Sequence, residues 1–260
     1  MTSSHEINQS ISKKFIKKIF DLLGFKIIRN NNFNDRWADY IIECDNEDKI
    51  NIDNASKYAL CTKPNLWSLI QSIKYISEKK IKGDFVECGV FKGGSLGLMA
   101  LYAQKYQINC KILGYDTFEE GFLKSSLNSN DISIKNKKIE LGKKIDNFYP
   151  TQGEVEQILK NFFTSEEYSP KLIKGDILKT LKEEKNVPNN ISLLRMDTDL
   201  YSTTKLQLET LYPKLEKGGV LHIDDYGMCP GVKAAVDEYF INQKIWLHRV
   251  DLSCRLMIKA

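Results

Sequence analysis

Gly83-Asp84-Phe85-Val86-Glu87-Cys88-Gly89-Val90-Phe91-Lys92-Gly93-Gly94-Ser95 is the stretch whose reading decides the fold. Asp84 to Gly89 reads as a buried strand, spaced glycines then turn the chain, and Ser95 to Tyr106 continues as a helix. A glycine-rich turn between strand and helix lets the backbone approach a ligand closely. It is not the G-x-G-x-x-G dinucleotide fingerprint, because Val90 to Lys92 separate Gly89 from Gly93. Nor is it a P-loop, which needs a Lys-Ser or Lys-Thr pair after the second glycine. An acid followed by spaced glycines suits a cationic or amino-bearing ligand better than a pyrophosphate.

Outward from this turn the pattern alternates. Pro64 to Lys80 carries Leu66, Leu69, Ile70, Ile73 and Ile76 on one helical face. Strands are expected at Lys111 to Asp116, Lys171 to Gly175, Ile191 to Met196 and Gly219 to Ile223. Helices are expected at Thr151 to Phe163, Ile177 to Glu184, Thr203 to Tyr212 and Gly231 to Phe240. Ile245 to Leu252 and Cys254 to Ile258 close the chain as an antiparallel hairpin. Strands alternating with helices predict an α/β, doubly wound, mostly parallel sheet over residues 56–260.

Residues 1–55 differ and read as an N-terminal helical extension. Ile11, Phe15, Ile16, Ile19, Phe20 and Leu23 stand at helical spacing, with Lys13, Lys14, Lys17 and Lys18 in the same turns. Such a helix either lies on an anionic membrane surface or docks on the domain or a second subunit; docking helices are commoner. The apolar stripe favours a homo-oligomer. Residues 117–150 form an insert carrying Lys135, Lys137, Lys138, Lys143 and Lys144, read as an active-site lid or as a solvated loop.

With 260 residues, 42% hydrophobic and 28% charged, the chain has the composition of an ordinary globular protein. A net charge of +4 from scattered lysines gives no case for a nucleic-acid partner. The six cysteines show no metal or disulfide spacing, and Cys88, Cys110 and Cys254 read as buried reduced thiols. No export signal and no bilayer-spanning apolar run are seen, so a cytoplasmic location is expected.

Two acidic clusters then stand out. Asp197-Thr198-Asp199-Leu200-Tyr201 and His222-Ile223-Asp224-Asp225-Tyr226-Gly227 each end a short apolar run, where an α/β sheet places function. Gathering several carboxylates raises their pKa values and resists desolvation, a penalty that a divalent cation removes. Asp197-x-Asp199 also admits a phosphatase-type nucleophile or the metal motif of a nucleotide-sugar glycosyltransferase. The first lacks the expected Thr or Val, since Tyr201 stands there, and the second leaves the glycine turn and Asp224-Asp225 unexplained. Capping of helices would occupy one acid per cluster, not four. Asp116, ending the strand after Glu87, is placed to bond ribose hydroxyls. A ribose with a positive, phosphate-free tail describes S-adenosylmethionine.

The stretch 83–95, with Asp116-Thr117-Phe118-Glu119, resembles the macrocin O-methyltransferase (TylF/MycF-type) family. Leu194-Arg195-Met196-Asp197-Thr198-Asp199-Leu200-Tyr201-Ser202-Thr203, Leu211-Tyr212-Pro213-Lys214-Leu215, Gly218 to Tyr226 and Ala235-Val236-Asp237 extend the resemblance over residues 58–240. It implies a class I methyltransferase (Rossmann-like) fold with a seven-stranded sheet, S-adenosylmethionine, Mg²⁺ and methylation of a sugar hydroxyl. By position, Asp197, Asp224 and Asp225 would ligate the metal and Asp199 would be the general base. Glu87, Gly89, Gly93 and Ser95 would line the methionine end, with Asp116 on the ribose and Asp176 near the adenine. The family's Thr-Met pair before its first core helix is here Cys61-Thr62, which puts Thr62 at the cofactor, and a common arginine is Asn65. A catalytically silent S-adenosylmethionine-binding module stays open beside the enzyme. Metal coordination of a hydroxyl makes its deprotonation by a carboxylate feasible, and a vicinal diol is the expected acceptor. His222 reads as a core residue. A glycosylated natural product, a surface polysaccharide and a nucleotide-linked sugar all remain as acceptors, and the basic insert leans toward an anionic one.

Overall fold

The computed structural model describes residues 42–121, 123, 126, 129–131 and 149–260. The amphipathic stretch and the lysines of the insert lie outside them. The described residues build one seven-stranded sheet from β1 (Asp84–Cys88), β2 (Ile112–Asp116), β3 (Lys171–Lys174), β4 (Ile191–Met196), β5 (Leu215–Ile223), β6 (His248–Arg249) and β7 (Arg255–Ile258). Their order is β3-β2-β1-β4-β5-β7-β6. The first five strands pair in parallel, while β7 runs antiparallel to β5 and β6 antiparallel to β7. This is the doubly wound sheet with an antiparallel C-terminal hairpin that the alternation predicts.

Side chains alternate across the sheet and feed two cores. Phe85, Leu193 and Val220 face α1 (Asn46–Ala55), α2 (Lys63–Lys79), α3 (Gly94–Lys105) and α4 (Gln152–Leu159). Val86, Cys88, Leu194, Met196, Leu221 and Ile223 face α5 (Ile177–Thr180), α6 (Tyr201–Thr210) and α7 (Pro230–Tyr239). Strands covered on both faces are largely apolar, and β1 and β4 depart from that only at Asp84, Glu87, Ser192 and Arg195.

Three elements depart from the sequence expectation. The polar helix α1 has no apolar stripe, yet it buries Ile52 and Ala55 in the first core. Its fully buried Asp48 accepts the Tyr102 hydroxyl and, at 2.5 Å, Lys74 Nζ, so a tertiary ion pair fixes what propensity does not. The core therefore draws on residues before 56. Strand β5 begins at Leu215, four residues early, because Leu215 pairs with Ile191 before a register shift lets Val220 pair with Leu193. Strand β6 keeps only two residues, with Trp246 beside it exposed. Among the described residues no helix is long and apolar enough to cross a membrane.

Candidate active site

Strand β1 pairs with β2 on one side and β4 on the other, so the crossovers reverse direction there. Such a switch point leaves a crevice at the strands' C-terminal ends. A cavity of about 760 Å³ opens at that place. Thr62, Gly89, Ser95, Asp116, Asp176, Asp197, Asp199, Asp224 and Asp225 all border it. Two other predicted residues stand behind the wall. Glu87 is fully buried and takes a hydrogen bond from the Ser95 hydroxyl, and Gly93 abuts Val155 and Leu159.

Gly89 sets the shape of the turn. Its φ is +90°, and a Cβ there would stand 1.7 Å from the Asp197 carbonyl oxygen. Only glycine lets the ends of β1 and β4 approach so closely. Asp116 Oδ2 accepts the Val90 and Phe91 N–H groups at 2.6 and 2.8 Å, and Oδ1 accepts that of Phe118 at 2.6 Å. The acid read as a ribose partner thus also braces the glycine turn. Burial raises its pKa, and these backbone bonds pull it back. Asp176 caps α5 through the Leu178 N–H at 3.0 Å. Thr62 caps α2 and donates its hydroxyl to Asp251 Oδ2 at 2.5 Å.

Beneath the acids lies Arg195, 1% exposed. Its Nη1 donates to Glu87 Oε1 at 3.0 Å and to Asp197 Oδ2 at 2.6 Å, and its Nη2 to Asp224 Oδ2 at 2.7 Å. Asn65 Nδ2 also donates to Asp224 Oδ2, at 2.9 Å. Arg195 stands within a quoted motif but has no role among the residues predicted from sequence. The signal was there: one charge in an otherwise apolar buried strand needs partners.

One carboxylate oxygen each of Asp197, Asp224 and Asp225 lie within 4.8 Å of one another. Asp225 Oδ2 is buried with no hydrogen-bond partner, an orphan that a cation would satisfy. An all-oxygen set of this kind could hold a hard divalent cation. Asp199, Asp225 and Cys229 form a second, overlapping group, but its thiol suits a softer metal. Asp199 and Asp225 both have left-handed backbones, with φ of +59° and +63°. A non-glycine residue in that region costs about 1 to 3 kcal/mol and is concentrated at functional sites.

Burial, and then the charge of Asp197, pushes the Asp199 carboxyl up to about 7. Burial and the neighbouring Asp199, Asp197 and Asp224 hold Asp225 well above the usual carboxylate range. Burial also raises Asp197, with Arg195 opposing. Arg195 alone does not offset so many acids, which is the electrostatic problem the sequence posed. His222 is fully buried, with Nε2 2.8 Å from Ser72 Oγ, and burial lowers it to about 3. It is a neutral core residue.

The family model described as Macrocin-O-methyltransferase (TylF) matches residues 16–257. The chain belongs to this family. The match extends beyond the motifs in both directions and takes in part of the N-terminal segment. A relative, demethyldecarbamoylnovobiocin O-methyltransferase of Streptomyces niveus, is 29% identical over 80% of this chain and 76% of its own length. The solved O-methyltransferase NovP superposes with a TM-score of 0.68 at 24% identity, covering 78% of this chain and 82% of its own. The calicheamicin methyltransferase CalS11 does so with a TM-score of 0.60 at 20% identity, covering 82% and 93%. These neighbours establish the class I methyltransferase fold, whose strand order the sheet reproduces. As a member of the TylF family the chain is an S-adenosylmethionine-dependent O-methyltransferase. The phosphatase and glycosyltransferase readings of Asp197-x-Asp199 lose their support.

Proposed function

We propose that this enzyme methylates a hydroxyl of a sugar-containing acceptor, with Mg²⁺ held by Asp197, Asp224 and Asp225 and with Asp199 as general base. The observation that carries this reading is the convergence of the acids with Gly89 and Asp116 in one cavity. Methyl donor and acceptor then share a single chamber, and alignment of the two becomes a proximity effect. The donor's methionine end would lie along Gly89 and Ser95, with its ribose toward Asp116 and its adenine toward Asp176.

A sugar hydroxyl is a poor nucleophile at neutral pH, with a pKa far above 7. Bound at the acid set, Mg²⁺ would stabilise the charge that develops on the acceptor hydroxyl. Arg195 donates to Oδ2 of both Asp197 and Asp224, which fixes the two carboxylates, and Asp224 Oδ1 accepts the Asp225 N–H at 3.0 Å. Asp199 lines the cavity outside that set, so it is free to accept the proton. The relative's name, demethyldecarbamoylnovobiocin O-methyltransferase, supports a natural-product acceptor. The fold neighbour CalS11, described as a TDP-rhamnose 3'-O-methyltransferase, keeps nucleotide-linked sugars in view. Surface polysaccharides complete the acceptor classes to be screened.

The test is S-adenosylhomocysteine release over a panel of glycosides, glycans and nucleotide sugars, before and after EDTA. Release should depend on a sugar acceptor, cease on chelation and return with Mg²⁺. Full activity after thorough chelation would reject the metal role.

A further inference from the structure

The C-terminal hairpin brings a segment to the acids that no motif announces. Because β7 runs antiparallel to β5, its first residue, Arg255, pairs with Ile223, the last residue of β5. The turn Asp251-Leu252-Ser253 therefore lies beside Asp224 and Asp225, and all three of its residues border the cavity. The contact is backbone on backbone. A Cβ on Gly227 would stand 1.9 Å from the Leu252 carbonyl oxygen, and the Gly227 N–H donates to the Ser253 carbonyl at 2.9 Å.

Hydrogen bonds close a circuit through this turn. Ser253 Oγ accepts the Asp225 N–H at 2.8 Å, and Asp224 Oδ1 shares that N–H at 3.0 Å. Asp251 Oδ1 accepts the N–H groups of Ser253 and Cys254 at 2.8 and 2.7 Å. Its Oδ2 takes the Thr62 hydroxyl at 2.5 Å. Thr62 Oγ1 accepts the Asn65 N–H at 3.2 Å, and Asn65 Nδ2 returns to Asp224 Oδ2 at 2.9 Å. The path runs from Asp225 through the hairpin turn and the start of α2 back to Asp224.

We infer that Ser253 is a positioning residue that holds Asp225 in its ligating orientation, and that Asp251 fastens the turn to the start of α2 through Thr62. The inference rests on the metal reading above. Asp225 has a left-handed backbone, φ +63°, which a residue with a side chain adopts only when its surroundings impose it. Ser253 Oγ holds that backbone through its N–H from outside the strand and donates to Asp225 Oδ1 at 3.5 Å. The orphaned Oδ2 of the same residue is thereby kept aimed and available. Groups that orient metal ligands in this way typically set the affinity of a site by about tenfold or more.

Calorimetric titration of the full chain with Mg²⁺ alone, and separately with S-adenosylmethionine alone, tests this. Ser253→Ala should weaken Mg²⁺ binding by about tenfold and leave S-adenosylmethionine affinity unchanged. Ser253→Thr, which keeps the acceptor oxygen, should bind Mg²⁺ as the wild type does. Wild-type Mg²⁺ affinity in Ser253→Ala would overturn the inference, and so would equal losses for both ligands, the mark of general loosening. A wild-type chain that binds no Mg²⁺ would instead bring down the metal reading itself.

Discussion

At the scale of single residues, the acids and their neighbours are set apart by environment more than by type. Asp199 and Asp225 carry the same side chain, yet the first takes a contact from the Cys229 thiol and the second has a buried oxygen with no hydrogen-bond partner. His222 shows the same principle on the core side of the sheet. Its folded pKa of about 3 lies below the ordinary 6.5, so between those values the unfolded chain holds a proton that the folded one does not. Stability therefore falls as pH drops from 6.5 toward 3, by about 1.4 kcal/mol per pH unit from this group alone. His222→Gln, which keeps an amide for Ser72, should remove that slope from urea titrations run across the window. An unchanged slope would mean that His222 is charged in the fold. The acids were legible in the sequence because carboxylates at strand ends are costly without a reason. Arg195 was visible as a charge, but of its partners only Asp197 is near in sequence; Glu87 and Asp224 sit on or at the end of two other strands, and no spacing along the chain reveals them.

Elements explain what residues alone do not. The ends of β1 and β4 touch through Gly89, and that contact fixes the distance between the glycine turn and the acids. Gly89→Ala should cost about 3 kcal/mol, read as a lower thermal midpoint, with S-adenosylmethionine binding lost. Wild-type melting by that variant would contradict the close approach. The parallel strands were legible from continuous apolar runs, and the hairpin from its position at the end. Helix α1 was not, because its sequence has little apolar periodicity and Asp48 is held by Tyr102 and Lys74 from distant segments. The start of β5 was hidden because Glu216 to Gly218 break the apolar run, so the strand was read from Gly219 and the pairing of Leu215 with Ile191 across a register shift was missed. The circuit from Ser253 to Asn65 was equally hidden, since it joins residues from opposite ends of the domain.

At the scale of the whole molecule, the winding of the sheet makes the site. Parallel strands send the ends of β1, β2, β4 and β5 to one edge, and the antiparallel pair returns the C-terminal turn to that same edge. One cavity then receives a glycine turn, an acid cluster and the hairpin turn Asp251 to Ser253. The doubly wound sheet was legible from the alternation of elements and its seven strands from the family resemblance, and the class of reaction followed from that resemblance together with the acids beside the glycine turn. The acceptor was not legible, because no motif encodes the walls that would select one sugar over another. The central claim is that the acids divide their labour, with Asp197, Asp224 and Asp225 for the cation and Asp199 for the proton. Methyl transfer by Asp199→Asn at saturating Mg²⁺ and S-adenosylmethionine tests it most directly. The account predicts a rate about a thousandfold below wild type, with both ligands still bound; near wild-type transfer by that variant would contradict it.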